Sequence, residues 1–488
     1  MNSRHDIARH SVFSSSGSFA ENIILATDSY KVSHWKQYPP ETTGIFSFFE
    51  SRGGKFPETV FFGLQYYLVR YLAGVRITEE HIEEARNFFA KHFGSLAFFN
   101  EEGWRYIIEK YGGRLPVVIR AVPEGSVVPT GNVLMTVEST DSKVPWVTNY
   151  LETILSQVWY PTTVATLSRA MKQMILTSLE KTGDPSLIDF KLHDFGYRGS
   201  TSVESAALGG AAHLLNFTGT DNLAGLLLLA RYYRAGMPGF SIPAAEHSTI
   251  TSWERDREAD AYRTMLESFP NGLVAVVSDS YDVYRACEEL WGRALREQVL
   301  SRDGTLIVRP DSGNPSEVVV RVLDILGEAF GYERNAKGYK VLDPHVRVIQ
   351  GDGIDRHSLP RVISAIERAG WSADNLAFGS GGGLLQSVTR DTQRFAFKCS
   401  AVEVGGVWRE VYKDPVTDPG KKSKAGRLKL VREKDTMKTV DEKSSPLPNL
   451  LEKVFENGEV LVEHSFDEVS ERLKNTEAVL HTNKHLIN

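Results

Sequence analysis

Apolar residues in the middle of this chain come in short unbroken runs that stop abruptly at glycine, aspartate, serine or proline. Leu273–Val277 runs into Ser278-Asp-Ser280, and Leu306–Val308 into Arg309-Pro-Asp-Ser-Gly313. Val346–Ile349 is followed by Gln350-Gly-Asp-Gly353, and Leu376–Phe378 by Gly379-Ser-Gly-Gly-Gly383. Continuous β-prone runs, rather than alternating ones, are expected of strands covered on both faces. Their ends follow one another at roughly 30–40 residues, the length of a parallel crossover with its helix. Phe190–His193 and Phe240–Pro243 are earlier, weaker candidates of the same kind. Between the runs the periodicity turns helical. Leu167–Lys181 is amphipathic and ends at Gly183, the small residues of Ser202–Leu215 suit close packing, and Ser358 and Gly370 are placed to cap Leu359–Ala369.

Residues 155–395 therefore read as consecutive βα units. A closed or nearly closed β/α barrel is the expected fold, with an open doubly wound sheet as the alternative. In either case the polar punctuation falls at the C-terminal strand ends, where parallel sheets carry their sites. The flanks differ. Thr43–Glu50, Pro116–Ala121, Asn132–Val137, Phe395–Cys399 and Gly426–Val431 are strand-like. This predicts a discontinuous α+β domain from residues 21–154 and 396–488, beside a catalytic barrel, and a loose tail over 1–20.

The chain has 488 residues, 24% of them charged, and a net charge of −6. That balance argues against a nucleic-acid partner but leaves room for a small anion held by a local cluster of arginine and lysine. Two cysteines cannot make a disulfide framework, and no apolar run approaches the ~20 residues of a membrane span, so a cytoplasmic location with no membrane association is expected.

Several strand ends collect unlike charges. Arg309 and Asp311 follow one run, Gly351, Asp352 and Asp355 the next, and Gly381–Gly383 the third, with Arg390 expected one or two turns into the helix that begins there. A glycine-rich strand-to-helix turn presents backbone N–H groups to an anion without Cβ obstruction. It lacks both the G-K-[ST] ending of a P-loop and the G-x-G-x-x-G of a dinucleotide site. Phe195 and Arg198, three apart, suit a flat ring and a phosphate, although a buried ring and a surface cation read as well. His247, after Glu246, is a nucleophile, an acid–base group or a bonded core residue. Asp279, Asp311 and Asp352 could assist Mg2+, which takes one or two carboxylates and phosphate oxygens. The basic stretch 413–432 reads as a solvated loop or as a flap over a polyphosphate.

Longer motifs carry a resemblance. Asp28-Ser-Tyr-Lys31, Gly63-Leu-Gln-Tyr66, His193-Asp-Phe-Gly-Tyr-Arg-Gly199, Pro243-Ala-Ala-Glu-His-Ser-Thr249, Val277-Ser-Asp-Ser-Tyr-Asp282, Arg309-Pro-Asp-Ser-Gly-Asn-Pro315, Gln350-Gly-Asp-Gly353 and Phe378–Gln386 stand in order from about residue 22 onward. Together they resemble nicotinamide phosphoribosyltransferases. The resemblance implies an irregular β/α barrel of the type II phosphoribosyltransferase kind, a homodimer with shared sites, and transfer of a phosphoribosyl group to nicotinamide. It further implies Mg2+, and ATP hydrolysed through a phosphohistidine. On this resemblance Phe195 and the other subunit's Tyr30 sandwich the base, and Asp221 accepts from the carboxamide. Arg309, Asp311, Gly351 and Asp352 hold the sugar and phosphates, Gly382 and Arg390 the 5′-phosphate, and Arg198 pyrophosphate. His247 is phosphorylated and oriented by Glu246 or Asp279, and Arg52, Lys398 and Lys413 are further phosphate contacts. Nicotinate phosphoribosyltransferase and a non-catalytic binding protein on the same scaffold are the alternatives.

Overall fold

The computed structural model describes residues 22–417 and 422–485. The expected tail 1–20 lies outside the described residues. Six parallel strands form the central sheet, in the order Gly219–Thr220, Leu192–Asp194, Leu376–Ser380, Val346–Gln350, Asp303–Arg309, Asn271–Val277. The segment 240–245 links its two outer strands. Phe240 N donates to Thr218 O (2.7 Å) and Thr220 N to Phe240 O (3.0 Å); Ala275 N donates to Pro243 O and Ala245 N to Ala275 O, both 2.9 Å. The sheet thus curls round into an irregular β/α barrel, with the helices Glu258–Ser268 and Pro315–Phe330 packed directly on it.

The apolar runs form these strands because both faces are covered. Val274, Val276, Leu306, Val308, Val346 and Val348 are buried on one face, and Ala275, Val277 and Ile349 are buried on the other. Each such valine, leucine or isoleucine side chain removed from water contributes on the order of 1.5–3 kcal/mol. The first barrel strand begins two residues later than its sequence suggests. Pro185–Phe190 is instead a 3-10 turn, with Pro185 at its first position and the Asp184 carboxylate accepting from Ser186 N.

A second, seven-stranded sheet interleaves both ends of the chain in the order Val407–Glu410, Phe395–Val404, Thr42–Ser51, Val133–Ser139, Val117–Ala121, Glu452–Glu456, Glu459–Val460. Its two longest strands join residues some 350 positions apart, Phe49 facing Phe397. Of the basic stretch 413–432, residues 418–421 lie outside the described residues. Its far end is not a loop: Leu428–Glu433 pairs with Thr436–Asp441 in a hairpin, because Leu428, Leu430 and Val431 are buried against the core.

Ser358 does not cap its helix as expected. Its hydroxyl donates to Gly353 O at 2.6 Å, and the Asp355 carboxylate takes the free amides of His357 and Ser358 instead. Gly370, at φ 79°, does end the helix in the left-handed conformation that glycine favours.

Candidate active site

The C-terminal strand ends converge on a cavity of about 870 Å³. Phe195, Arg198, Asp221, Arg309, Asp311, Gly351, Asp352 and Gly382 all line it, so eight residues singled out from five strand ends share one space. Gly351 shows how tightly they meet: a Cβ there would stand 3.2 Å from Asp311 Oδ1, 3.4 Å from the Phe195 ring and 3.7 Å from Arg309 Cδ. The Phe195 ring also lies directly over Gly379, where any side chain would collide with it.

Asp221 follows the short strand Gly219–Thr220, and its backbone N–H is held by Asp194 O at 3.1 Å. Its Oδ1 accepts from Ser241 Oγ at 2.5 Å, which leaves Oδ2 for a donor in the cavity. The guanidinium of Arg309 has a buried Nε without a hydrogen-bond partner. An uncompensated buried cation donor is costly, and an anionic ligand would supply the missing acceptor. The glycine turn 381–383 opens onto the cavity beside the loop 351–355. Ser380 Oγ anchors that loop by donating to Ile354 O at 2.6 Å.

His247 opens the short helix His247–Thr251 and sits beside the same acidic group. Its Nε2 lies 3.1 Å from Asp279 Oδ1, and its Nδ1 4.0 Å from Asp311 Oδ2. Asp279 is itself fixed, since its Oδ2 accepts from Asp311 N at 3.1 Å and Ser312 Oγ at 2.5 Å. Glu246 does not orient the histidine. It precedes His247 on extended backbone, so the two side chains diverge, and its carboxylate is taken by Ser248 Oγ. Burial raises the Asp311 pKa above the ordinary carboxylate range; the Arg309 charge opposes this and the Asp279 charge adds to it. No group of three or more acidic, histidine or cysteine side chains able to hold a metal occurs among the described residues.

Five expected contact residues fall elsewhere in the single chain. Arg390 is not on the helix of the glycine turn. Gly382–Leu385 ends after one turn, and Thr389 and Thr392 cap a separate turn, Arg390–Thr392, that carries the arginine away from the cavity lining. There it joins Arg52, Lys398 and Lys413. Burial holds the Lys398 pKa low, Glu152 opposes that, and the other three cations reinforce it. Glu50, buried nearby and ion-paired with Lys424, is the acidic counterpart. Tyr30 also lies off the cavity, 60% exposed, its ring edge-on to His34 at 4.9 Å.

Sequence reasoning gave no role to Asp194, Ser241 or Ser312. Asp194 ends a barrel strand and lines the cavity, a position that itself signals a site. The two serines became visible only once their carboxylate partners were placed.

This geometry has relatives. Residues 22–119 match the family model "Nicotinamide phosphoribosyltransferase, N-terminal domain", and residues 190–459 match the nicotinate phosphoribosyltransferase family model. A nicotinamide phosphoribosyltransferase of Xanthomonas campestris pv. campestris is 54% identical over 462 residues, covering 92% of this chain and 98% of the relative. One from Acinetobacter baylyi is 32% identical, covering 93% and 98%. The chain belongs to the nicotinamide phosphoribosyltransferase family. Its fold is shared at low identity with two solved structures. Nicotinate-nucleotide pyrophosphorylase from Pyrococcus furiosus matches with a TM-score of 0.55 and 15% identity, over 94% of this chain and 97% of that one. Human nicotinic acid phosphoribosyltransferase matches with a TM-score of 0.53 and 18% identity, over 92% and 93%. The fold is thus the type II phosphoribosyltransferase arrangement, which serves enzymes named for either base. Within the family the choice of base rests on the cavity itself.

Proposed function

We propose that this chain transfers the phosphoribosyl group of 5-phosphoribosyl-1-pyrophosphate to the ring nitrogen of nicotinamide, giving nicotinamide mononucleotide and pyrophosphate. The observation that carries the choice of base is Asp221. Its Oδ1 is occupied by Ser241 and its Oδ2 is free to accept a carboxamide N–H beside the Phe195 ring. The carboxylate of nicotinate would meet a like charge at the same place. Arg309, Gly382 and Arg198 supply cations and backbone donors for the phosphates. The bond broken at ribose C1 develops positive charge on the sugar while pyrophosphate leaves as an anion, so catalysis is positioning plus charge stabilisation.

Asp311 and Asp352 suit Mg2+ held jointly with substrate phosphates. Both face the cavity, and the charges of Asp279 and Asp352 oppose the ionisation of Asp311, a repulsion that a cation relieves. When bound, Mg2+ would neutralise charge on the departing pyrophosphate.

His247 is the proposed phosphoryl acceptor from ATP. With Nε2–H donating to Asp279, Nδ1 carries the lone pair that would take the γ-phosphoryl group as ADP leaves, and Asp279 would balance the resulting positive imidazole. A homodimer is part of the same reading. Tyr30 and the Arg52, Arg390, Lys398 and Lys413 cluster lie off this chain's cavity and would serve that of a second copy. Leu223 and Leu227, one turn apart and exposed just after Asp221, offer such a copy an apolar face.

The test is pyrophosphate release from purified protein with phosphoribosyl pyrophosphate, Mg2+ and either base. Turnover with nicotinamide well above that with nicotinate is expected. Preference for nicotinate would establish the alternative base. No turnover with either, with or without ATP, would leave a binding protein.

A further inference from the structure

Between Phe195 and Asp221 lies a carboxylate that contacts neither a proposed substrate group nor a cation. Asp194 is fully buried at the end of the strand Leu192–Asp194, yet it belongs to the cavity lining. Its Oδ1 accepts from Gly196 N at 2.7 Å, closing the turn that carries Phe195. Its Oδ2 accepts from Asn222 Nδ2 at 2.9 Å. Its backbone carbonyl takes the N–H of Asp221 at 3.1 Å. One residue thereby grips both neighbours of the base subsite.

Asn222 is built into the far side of the grip. It caps the helix Leu223–Tyr232, its Oδ1 accepting from Gly225 N at 3.3 Å. The same Nδ2 donates its second hydrogen to Ala206 O at 2.8 Å, on the helix Val203–His213. The amide orientation is therefore fixed by three partners. Space for the pair is reserved by glycines. A Cβ at Gly210 would stand 2.4 Å from Asn222 Nδ2 and 3.2 Å from Asp194 Oδ2, and one at Gly196 would stand 3.0 Å from Asp194 Oδ1.

We propose that Asp194 and Asn222 form a clamp that sets the distance between the Phe195 ring and the Asp221 carboxylate, making Asp194 a positioning residue for the nicotinamide base. The inference rests on the base subsite described under Proposed function. Burial without a cation is costly for a carboxylate, and an apolar side chain would fill the same space at less cost. The carboxylate earns its place by accepting from two elements at once, which no neutral apolar residue can do.

The polarity of the clamp gives a specific test. Asp194→Asn turns an amide N–H toward Asn222 Nδ2, donor against donor. Asn222 can escape only by flipping, which abandons the cap on Gly225. The swap Asp194→Asn/Asn222→Asp restores both clamp bonds with donor and acceptor exchanged. The new amide at position 194 accepts from Gly196 N through its oxygen and donates through its nitrogen to the new carboxylate at position 222, which still caps the helix. Steady-state kinetics with each substrate varied, and calorimetric titration with nicotinamide alone, would be run on the parent, both single variants and the swap. Asp194→Asn is expected to raise the nicotinamide KM and Kd about tenfold or more, with the phosphoribosyl pyrophosphate KM moving less than about threefold. The swap should recover part of the loss, short of the parent because the new carboxylate oxygen at position 222 faces Ala206 O, acceptor against acceptor, where Asn222 Nδ2 had donated. If Asp194→Asn fails to fold, a folded swap with near-parental nicotinamide Kd supports the clamp. An unchanged nicotinamide Kd in Asp194→Asn, parallel rises in both KM values, or a swap no better than the worse single variant overturns it. A parent that binds nicotinamide but turns over neither base defeats the functional reading alone, and the clamp is then judged on Kd. A parent that does not bind nicotinamide defeats both.

Discussion

Gly379 lies beneath the Phe195 ring, and a single methyl group there should disable base binding. A Cβ at 379 would fall 2.0 Å from Phe195 Cε2, 2.2 Å from Cδ2 and 2.9 Å from Cζ. Carbon atoms pack at about 3.5–4.0 Å, so the ring must withdraw by on the order of 1.5 Å. Its turn is tied down by Gly196 N to Asp194 and by Phe195 N to Ser380 O, at 2.7 and 3.0 Å, so it cannot follow freely. Overpacking of this kind costs about 1–3 kcal/mol of stability. A displacement of about 1 Å at a reacting group costs on the order of 100-fold in rate. Gly379→Ala is therefore expected to lower kcat/KM for nicotinamide about 100-fold, to lower the thermal midpoint, and to move the phosphoribosyl pyrophosphate KM far less. Gly382→Ala is the matched control. No atom lies within 4 Å of its Cβ position, so stability should hold while the phosphoribosyl pyrophosphate KM rises. Pyrophosphate release and a thermal melt on both variants decide the matter. Parental nicotinamide kinetics in Gly379→Ala, with an unmoved melting point, would refute the placement of the ring.

Asp221→Asn removes the charge that opposes nicotinate, and the nicotinamide-to-nicotinate ratio of kcat/KM should fall by about 10- to 100-fold, an interaction of about 1–3 kcal/mol; competition between the two bases measures it. His247→Ala should retain basal synthesis and lose both ATP hydrolysis and its stimulation, and parental ATP hydrolysis in that variant would remove His247 from the phosphoryl path. Burial pushes the Asp194 pKa up to about 6, with its two N–H partners opposing and the Asp221 charge adding. The native state then binds a proton that the unfolded chain, with a pKa of about 3.9, has already lost. Between those values stability must fall as pH rises, by up to about 3 kcal/mol for this group. Urea unfolding at pH 4.5 and pH 7 should show that part of the slope vanish in Asp194→Asn; an identical slope would count against it. Finally, mixing Tyr30→Ala with Asp221→Ala under conditions that allow subunit exchange should regain activity if sites are shared between two copies, and no recovery despite exchange would argue that each chain works alone.

The barrel was legible because its strands are covered on both sides. Leu273–Val277 and Leu306–Val308 announce themselves by composition, and their punctuation marks the catalytic face. Pairing over long separations leaves no local trace. Nothing in the periodicity of Phe46–Glu50 says that it lies against Ala396–Ala401. The segment 240–245 was visible as an apolar run, but its role in joining both outer strands was not, since it is held by four hydrogen bonds rather than a ladder. Within the site, the residue types were readable and their partners were not. The sequence offers Glu246 and Asp279 equally to His247, and backbone direction chose Asp279. Arg390 was misplaced because the capping pair Thr389 and Thr392 interrupts what looks like one helix.

The stretch from Phe240 to Ala245 works as a strut of fixed length. One end is pinned to Thr218 and Thr220, beside the Ser241–Asp221 contact, and the other to Ala275, just before His247 meets Asp279. An extended chain spans at most about 3.3–3.6 Å per residue, so the count of residues between 241 and 247 limits how far Asp221 can stand from His247. Adding or deleting one residue there could not be absorbed as slack. It would shift Asp221 against His247, although neither residue had itself been altered.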